Sequence, residues 1–554
     1  MNKKSRYIIV GGVAAGATVA ARIRRQDENA EIIVLERGPY VSYANCGLPY
    51  FIGGEIQRRS RLLLQSTEGF FSRYRVDVRV KTEAVEIDRE GKRVRVVGPQ
   101  GEDWLSYDKL MLAQGGRPLI PPLPGIDRPE VFSLWTIPDM DQIDGFIKNS
   151  APKRAIVAGG GFIGLEMAEA LRHRGLEVDL IELAPQLMVN MDPEFGELIK
   201  RELMEKGVGV HLNSGLTSVE EGKVLLSNGK ELSMDMLILS IGVRPELTLA
   251  KAAGLQVGEN GGLAVNEYLQ TSDPNIFAGG DMVEILNKVS GKKVRLPLAG
   301  PANRQGRIAA QNMLGGKVPY RGGIGTSVVK IFDKTAGGTG LTEKSARQLG
   351  LEIGTSFIAK DHHVNYYPGA EPVLLKLVFA KPSGRLLGLQ AFGAFGVDKR
   401  IDVGATALIG KLTLEDLSES DFAYAPPYGS GHDPVNMAAF VGLNSLSGYS
   451  PLVSSSEAIQ EKSAGAVILD VRTFNETSEG YIKDSLLIPG DEVRDRLGEI
   501  PQGKKILVLS KDGFQGHLVS LILRQKGYSE VKFITGGWYA LSLEPGVQDN
   551  ILKE

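Results

Sequence analysis

Apolar residues fall into short runs separated by glycine-rich turns and by stretches with helical spacing. Residues 7–10 form an unbroken apolar run, a glycine-rich turn follows, and residues 17–25 repeat at helical spacing before a second apolar run at 30–35 (AEIIVL). The same order recurs with an apolar strand at 155–157, a glycine turn, a helix through Leu171 and a strand at 178–181. Strands alternating with helices predict parallel sheets covered on both faces, here as two related dinucleotide-binding units. The pattern changes near residues 325–341; beyond it, strand-like runs at 373–379 and 386–391 precede a helical stretch at 401–412, which predicts an α+β domain. Residues 442–456 (GLNSLSGYSPLVSSS) are rich in Gly and Ser and read as a linker into a separate C-terminal domain.

At 554 residues the chain exceeds one hydrophobic core. Domains of about 100–200 residues make three or four the expectation. A net charge of -2 argues against a dedicated nucleic-acid binder, which would carry a basic stripe. The opening MNKKSRYIIVGG enters a strand at once and does not read as a signal peptide. No apolar run reaches the length of about 18 residues that a membrane span needs. The cytoplasm is the expected location. There is one cysteine, Cys46, so an internal disulfide and a cysteine-rich zinc site are both excluded. No histidine shows metal-ligand spacing, and no metal is expected.

The first glycine turn, IIVGGVAAGA, puts Gly11 and Gly16 in the outer slots of a dinucleotide fingerprint, with Val13 in the middle slot. Glu36 ends the next strand, where an acid hydrogen-bonds a ribose. The second turn, AGGGFIGLE, is complete, with Gly159, Gly161 and Gly164 opening a helix whose N-terminus suits a pyrophosphate. Glu182 closes the following strand; a carboxylate there repels a 2′-phosphate and favours NADH over NADPH. A third segment, NIFAGGDMVE, sets Asp281 after a strand and two glycines.

Gly11, Gly16 and Glu36, then YDKLMLAQGGRP, the second fingerprint and IFAGGD, in this order, resemble the FAD-dependent pyridine nucleotide-disulfide oxidoreductases. The resemblance implies an α/β fold with FAD and NAD(P) domains of Rossmann type and an α+β dimerisation domain. It places a discontinuous FAD domain at 1–115 and 245–325, the NAD(P) domain at 116–244 and the dimerisation domain at 326–441, with the linker at 442–456. It assigns Gly11, Val13, Gly16, Glu36, Arg37, Ala113, Gly115, Asp281 and Ala299 to FAD, with Asp281 on the ribitol. Gly159, Gly161, Phe162, Ile163, Gly164, Glu182 and Gly242 fall to the nicotinamide cofactor. Gln114 stands where the family usually has Thr.

SYANCGLPY carries Ser42 and Cys46 where glutathione reductase-like members carry two cysteines, so the chain resembles the single-cysteine branch, with coenzyme A-disulfide reductases and NADH oxidases or peroxidases. Without a second cysteine, oxidised Cys46 must be capped by a small thiol or become a sulfenic acid. Thr18, Arg22 and Arg25 lie on one side of the first helix, where basic groups suit phosphates. With Ser42 and Asn45 they match the coenzyme A-binding positions of coenzyme A-disulfide reductases. LPLAGPANRQGR, NYYPGA and YAPPYGSGHDPVNM also resemble that subfamily, in which the tyrosines matching Tyr366 and Tyr424 face the thiol of a partner subunit. This implies a homodimer and a catalytic trio of Cys46, Tyr366 and Tyr424.

Residues 457–554 resemble a rhodanese domain, through VILDVRT, IPGDE, LSKDGFQGHL and TGGWYAL. Ser510 occupies the position of the persulfide-carrying cysteine and Gln515 that of a loop arginine, so the loop is expected to be inactive as a sulfur carrier. The expectation is an NADH-dependent flavoprotein reducing coenzyme A disulfide, coenzyme A persulfide or polysulfide, with coenzyme A as substrate or as the cap on Cys46. A peroxidase or oxidase working through a Cys46 sulfenic acid, and a non-catalytic redox sensor with a docking rhodanese-like module, are the alternatives.

Overall fold

The computed structural model describes residues 4–478, 480–544, 547 and 551–552. They form two compact units: Met1–Pro185 with Gly207–Gly323, and Gln186–Lys206 with Ile324–Glu554.

The first unit contains two five-stranded sheets whose strands all pair in parallel. In one, the apolar strand Arg6–Val10 lies between Glu31–Glu36 and Lys109–Leu112, with Ile276–Ala278 beyond. Helix Ala14–Gln26 covers it, burying Ala15, Val19, Ala20 and Ile23 on one stripe. In the other, Arg154–Ala158 lies between Glu177–Ile181 and Met236–Leu239, and helix Phe162–His173 buries Leu165, Met167, Ala168 and Leu171. Buried, continuous apolar strands of this kind are what two-sided helix cover requires. Each parallel sheet is accompanied by a three-stranded antiparallel one, at residues 83–106 and 216–233.

The second unit holds an antiparallel sheet in the order Ser327–Ile331, Lys334–Gly340, Leu386–Gly393, Pro372–Ala380 and Ile353–Asp361. It also holds a parallel sheet in the order Leu452–Val453, Val531–Ile534, Ile506–Leu509, Val467–Asp470 and Leu486–Leu487. Among the described residues no helix is long and apolar enough to cross a membrane.

The linker expected at 442–456 is not a free tether. Helix Pro434–Leu446 runs through its start, because Gly442 lets the helix approach Leu414 and Phe379; a Cβ there would stand 2.6 Å from Leu414. Leu452–Val453 then pairs in parallel with Phe533 and Ile534, and the Ser454 side chain caps helix Ser455–Ser463. The helical stretch expected at 401–412 begins earlier, as Val397–Gly410. Residues 186–206, read from sequence as part of the NAD(P) domain, pack with the second unit.

Charge explains that packing. Lys376 is buried and meets Glu194 at 2.6 Å, Glu343 at 2.8 Å and Asp192 at 3.1 Å. Gln390 Nε2 donates to Asp192 at 2.6 Å, and Gln390 Oε1 accepts from the Asp192 N–H at 2.7 Å. The Lys376 ammonium stays charged despite burial because these carboxylates surround it. Lys376→Met is expected to destabilise the protein by about 3–5 kcal/mol at neutral pH, the usual cost of leaving buried charge unpaired. The carboxylates left behind take up protons more readily than in the unfolded chain, so the loss shrinks as pH falls and grows as it rises. Denaturant midpoints of both proteins across that range check this; an equal midpoint would show that the cluster contributes nothing.

Candidate active site

In the first glycine turn, Gly11 has φ +98°, and a Cβ there would lie 2.3 Å from the Ala113 carbonyl oxygen. A Cβ on Gly16 would lie 1.8 Å from the Gly11 carbonyl oxygen, so helix and strand meet through bare backbone. Val13, in the middle slot, is half-buried and sits just before helix Ala14–Gln26. The Glu36 carboxylate accepts the Gly12 N–H at 2.9 Å and the Gly38 N–H at 2.8 Å. Ala113 lies at the end of strand Lys109–Leu112, its N–H donating to Val10. Gly115 has φ +66° and its carbonyl accepts from Glu246 N–H. Glu246 lies 3.9 Å from Arg37.

Asp281 follows the turn after Ile276–Ala278, and burial pushes its carboxyl up to about 6. Gly280 N–H donates to Gln305 Oε1 at 2.7 Å, while Gln305 Nε2 and Gln114 Oε1 are buried with no partner. Ala299 opens helix Ala299–Met313. Two orphaned amide atoms and a desolvated carboxyl beside a backbone-lined turn fit a large polar cofactor such as FAD, whose hydroxyls and ring edges would satisfy them.

The second turn repeats the geometry. A Cβ on Gly159 (φ +110°) would stand 2.4 Å from the Ser240 carbonyl oxygen, and one on Gly164 would stand 1.9 Å from the Gly159 carbonyl oxygen. Gly161 differs, because a Cβ there would meet nothing within 4 Å; its open side is where a pyrophosphate can approach. Phe162 and Ile163 form the first turn of helix Phe162–His173. Glu182 accepts the Gly160 and Ala184 N–H groups, each at 2.7 Å. Gly242 has φ +125°, and its carbonyl accepts from Leu119 N–H. The set fits a nicotinamide dinucleotide.

Cys46 is exposed, in the short turn Asn45–Gly47, with Sγ 3.9 Å from Asn45 Oδ1. Ser42 holds a left-handed backbone, φ +47°, and its N–H donates to Gly12, tying the thiol segment to the first glycine turn. Desolvation by its surroundings pushes the Cys46 thiol above its ordinary value, and the charges of Glu166 and Asp281 add to this. Tyr50 Oη donates to Glu166 at 3.1 Å, and burial drives Glu166 up to about 7. Neither Tyr50 nor Glu166 was singled out in the sequence, although they end the segments SYANCGLPY and AGGGFIGLE.

Of the basic run RIRR, the structure separates the roles. Arg24 is 7% exposed, and its guanidinium donates to five carbonyls, including those of Tyr74, Glu28 and Ala30. Arg25 is exposed and Arg22 half-buried, with its Nε unpartnered; Thr18 Oγ1 donates to Asn303 at 2.8 Å.

In the second unit, Tyr366 and Tyr424 meet hydroxyl to hydroxyl at 3.0 Å, and both are exposed. Asp433, which caps helix Pro434–Leu446, also holds buried Arg400 at 2.7 Å. Ser510 is 1% exposed, and its Oγ accepts the Gly513 N–H at 3.0 Å. Gln515 packs against Gly490.

These two glycine cradles beside one thiol are the architecture of a two-dinucleotide redox enzyme. Residues 5–306 match the pyridine nucleotide-disulphide oxidoreductase family, 326–433 its dimerisation domain and 454–544 the rhodanese-like domain. The chain belongs to the pyridine nucleotide-disulphide oxidoreductase family, which uses FAD and NAD(P)H. A Methanocaldococcus jannaschii protein named NADH oxidase is 35% identical over 447 residues, covering 80% of this chain and 99% of its own. The structure of reduced Bacillus anthracis CoADR-RHD is similar at TM-score 0.96 and 42% identity, covering 99% of both chains. That of an NAD-dependent persulfide reductase from A. fulgidus is similar at TM-score 0.91 and 37% identity, over 96% of this chain and 99% of its own.

Gly11→Ala is expected to abolish FAD retention, since the new Cβ collides with backbone and the left-handed φ is strained. The flavin-to-protein absorbance ratio after purification checks this; a ratio equal to the wild type would contradict the assignment of this turn.

Proposed function

We propose that the protein is an NADH-dependent flavoprotein that reduces the sulfur–sulfur bond of coenzyme A disulfide, coenzyme A persulfide or polysulfide through Cys46. The observation that carries this is the single exposed thiol, tied through Ser42 to the first glycine turn, in a chain without a second cysteine. Bound FAD would relay the electron pair of the NADH hydride to the Cys46 sulfur. The net step is NADH + H⁺ + Cys46–S–S–R → NAD⁺ + Cys46–SH + R–SH; the sulfur–sulfur bond breaks and each sulfur gains a proton. Surroundings that disfavour the thiolate favour a neutral resting sulfur, which a mixed disulfide supplies.

Glu182, fixed by two backbone donors, stands ready to accept ribose hydroxyls and supports NADH over NADPH. Arg22, with an unsatisfied buried Nε, supports phosphate binding along the Thr18–Arg25 stripe, and Ser42 and Asn45 flank the thiol for the coenzyme A arm. The domain scheme stated from sequence is retained with two changes: residues 186–206 go with the second unit, and 442–456 is structured. The dimerisation-domain match and the exposed Tyr366–Tyr424 pair support a homodimer in which each pair serves the partner's thiol. A cytoplasmic setting suits a reductase that must keep a lone thiol in play. Sulfur is preferred over oxygen because the A. fulgidus structure, similar over 96% of this chain, is that of a persulfide reductase.

Cys46→Ser is expected to retain FAD and its reduction by NADH, but to lose at least about 10³-fold in sulfur-dependent turnover, as for removal of a nucleophile acting in a unit. Rapid-mixing flavin absorbance and steady-state NADH consumption separate the two effects. Unchanged turnover with coenzyme A disulfide and with persulfide would sink the reading, and peroxide-dependent turnover alone would favour the oxidase or peroxidase class.

The rhodanese-like loop is expected to show no sulfurtransferase activity. A hydroxyl cannot hold sulfane sulfur as a persulfide, and the Ser510 Oγ is already engaged by Gly513. A thiosulfate:cyanide assay on full-length Cys46→Ser protein, which lacks the chain's one thiol, tests this. Thiocyanate above a heat-denatured control would refute it.

A further inference from the structure

Reducing a disulfide or persulfide to thiols consumes a proton from solvent at every turnover. The Cys46 site makes that demand acute, because its surroundings disfavour a bare thiolate. Helix Phe162–His173 sets Glu166, Glu169 and His173 at spacings of three and four residues, which puts them on one stripe. At the inner end, Glu166 accepts from Tyr50 Oη at 3.1 Å, and Tyr50 follows Cys46 by four residues along the helical run Asn45–Gly47 and Leu48–Ile52, which brings the two to one side. At the outer end, the ligating atoms of Glu55, Glu169 and His173 all lie within 4.8 Å of one another, with Glu169 buried and Glu55 and His173 exposed. Glu166 and Glu169 also interact through their charges. Tyr50 and Glu55 come from helix Leu48–Ile52 and the turn after it, immediately beyond the thiol.

We propose that His173 and Glu55, then Glu169, then Glu166 with Tyr50, form a proton path from solvent to the Cys46 sulfur. The inference rests on the functional reading above and adds to it Glu55, Glu169 and His173, which neither the family fingerprints nor the cysteine motif contains. The path delivers the H⁺ on the left of the balanced step; no other oxidant or reductant enters. Glu166, raised to about 7 mainly by burial, changes its charge near neutral pH and so can both take and give a proton. Tyr50 is held in its protonated form by burial and by Glu166, so its hydroxyl remains the donor in that hydrogen bond. Asp281 also faces the Cys46 end of the path, and the neighbouring Arg174 is spent on Asp144 at 3.2 Å and on the Ile52 carbonyl at 3.0 Å.

The test uses the full-length, FAD-loaded protein with NADH and coenzyme A disulfide or persulfide, comparing wild type with Glu169→Gln and His173→Ala. Both variants are expected to bind FAD and to be reduced by NADH as the wild type is, while kcat falls about 10-fold or more, within the range for positioned acid–base groups. Proton delivery predicts three further changes: the neutral-pH limb of the kcat profile shifts, the solvent deuterium isotope effect on kcat rises, and added imidazole restores His173→Ala in proportion to its concentration. A purely structural role would lower flavin retention and thermal stability without those changes, and would overturn the proposal. Wild-type kcat, pH profile and isotope effect in Glu169→Gln would overturn it as well. A wild type that reduces neither sulfur substrate would instead remove the functional reading on which the path rests.

Discussion

Each dinucleotide unit hangs on a carboxylate that accepts backbone N–H groups from a turn too tight for a side chain. Glu36 takes the amides of Gly12 and Gly38, and Glu182 takes those of Gly160 and Ala184. Hydrogen bonds to a charged acceptor contribute about 1.5–3 kcal/mol each, more than neutral ones. They also fix the carboxylate's orientation, leaving its remaining lone pairs for a ribose. The glycines are the other half of the same constraint. With carbonyls within 2.4 Å of where a Cβ would sit at Gly11, Gly16, Gly159 and Gly164, strand and helix close on each other as bare backbone. The helix N-terminus then stands over the end of the strand, and the cofactor sites follow from that.

The thiol is governed by an opposing balance. An exposed thiol is already mostly neutral at pH 7, and here partial desolvation, with the charges of Glu166 and Asp281, favours the neutral form further. Such a site stores sulfur well as a thiol or a mixed disulfide and holds free thiolate poorly. A bound cofactor with electron-poor character would relieve this only while it is oxidised, which ties the reactivity of the sulfur to the redox state of its neighbour.

The cradles were legible in the sequence because they are local: a glycine spacing and an acid at the end of the next strand specify them within some 25 residues. Tyr366 and Tyr424 were reached only through family resemblance, since nothing in their separate segments says that their hydroxyls meet. Residues 442–456 misled because Gly and Ser describe flexibility in isolation. In the fold, Gly442 is small so that a helix can pack on Leu414 and Phe379, and Ser454 is a cap. Glu166 was passed over because a glutamate in a helix ordinarily faces water, and only tertiary packing reveals that this one is half-buried and bonded to Tyr50. The Lys376 cluster draws on residues almost 200 positions apart, as between Asp192 and Gln390, and has no signature short of the folded chain.

The bond between the Tyr366 and Tyr424 hydroxyls joins two identical groups and so has no built-in direction. Whichever phenol donates to its neighbour spends its hydrogen, and the other keeps one hydrogen free for a third party. Turning both O–H bonds together reverses the roles while neither ring moves. The geometry therefore leaves one hydrogen at a time to spare, at either of two points about 3 Å apart.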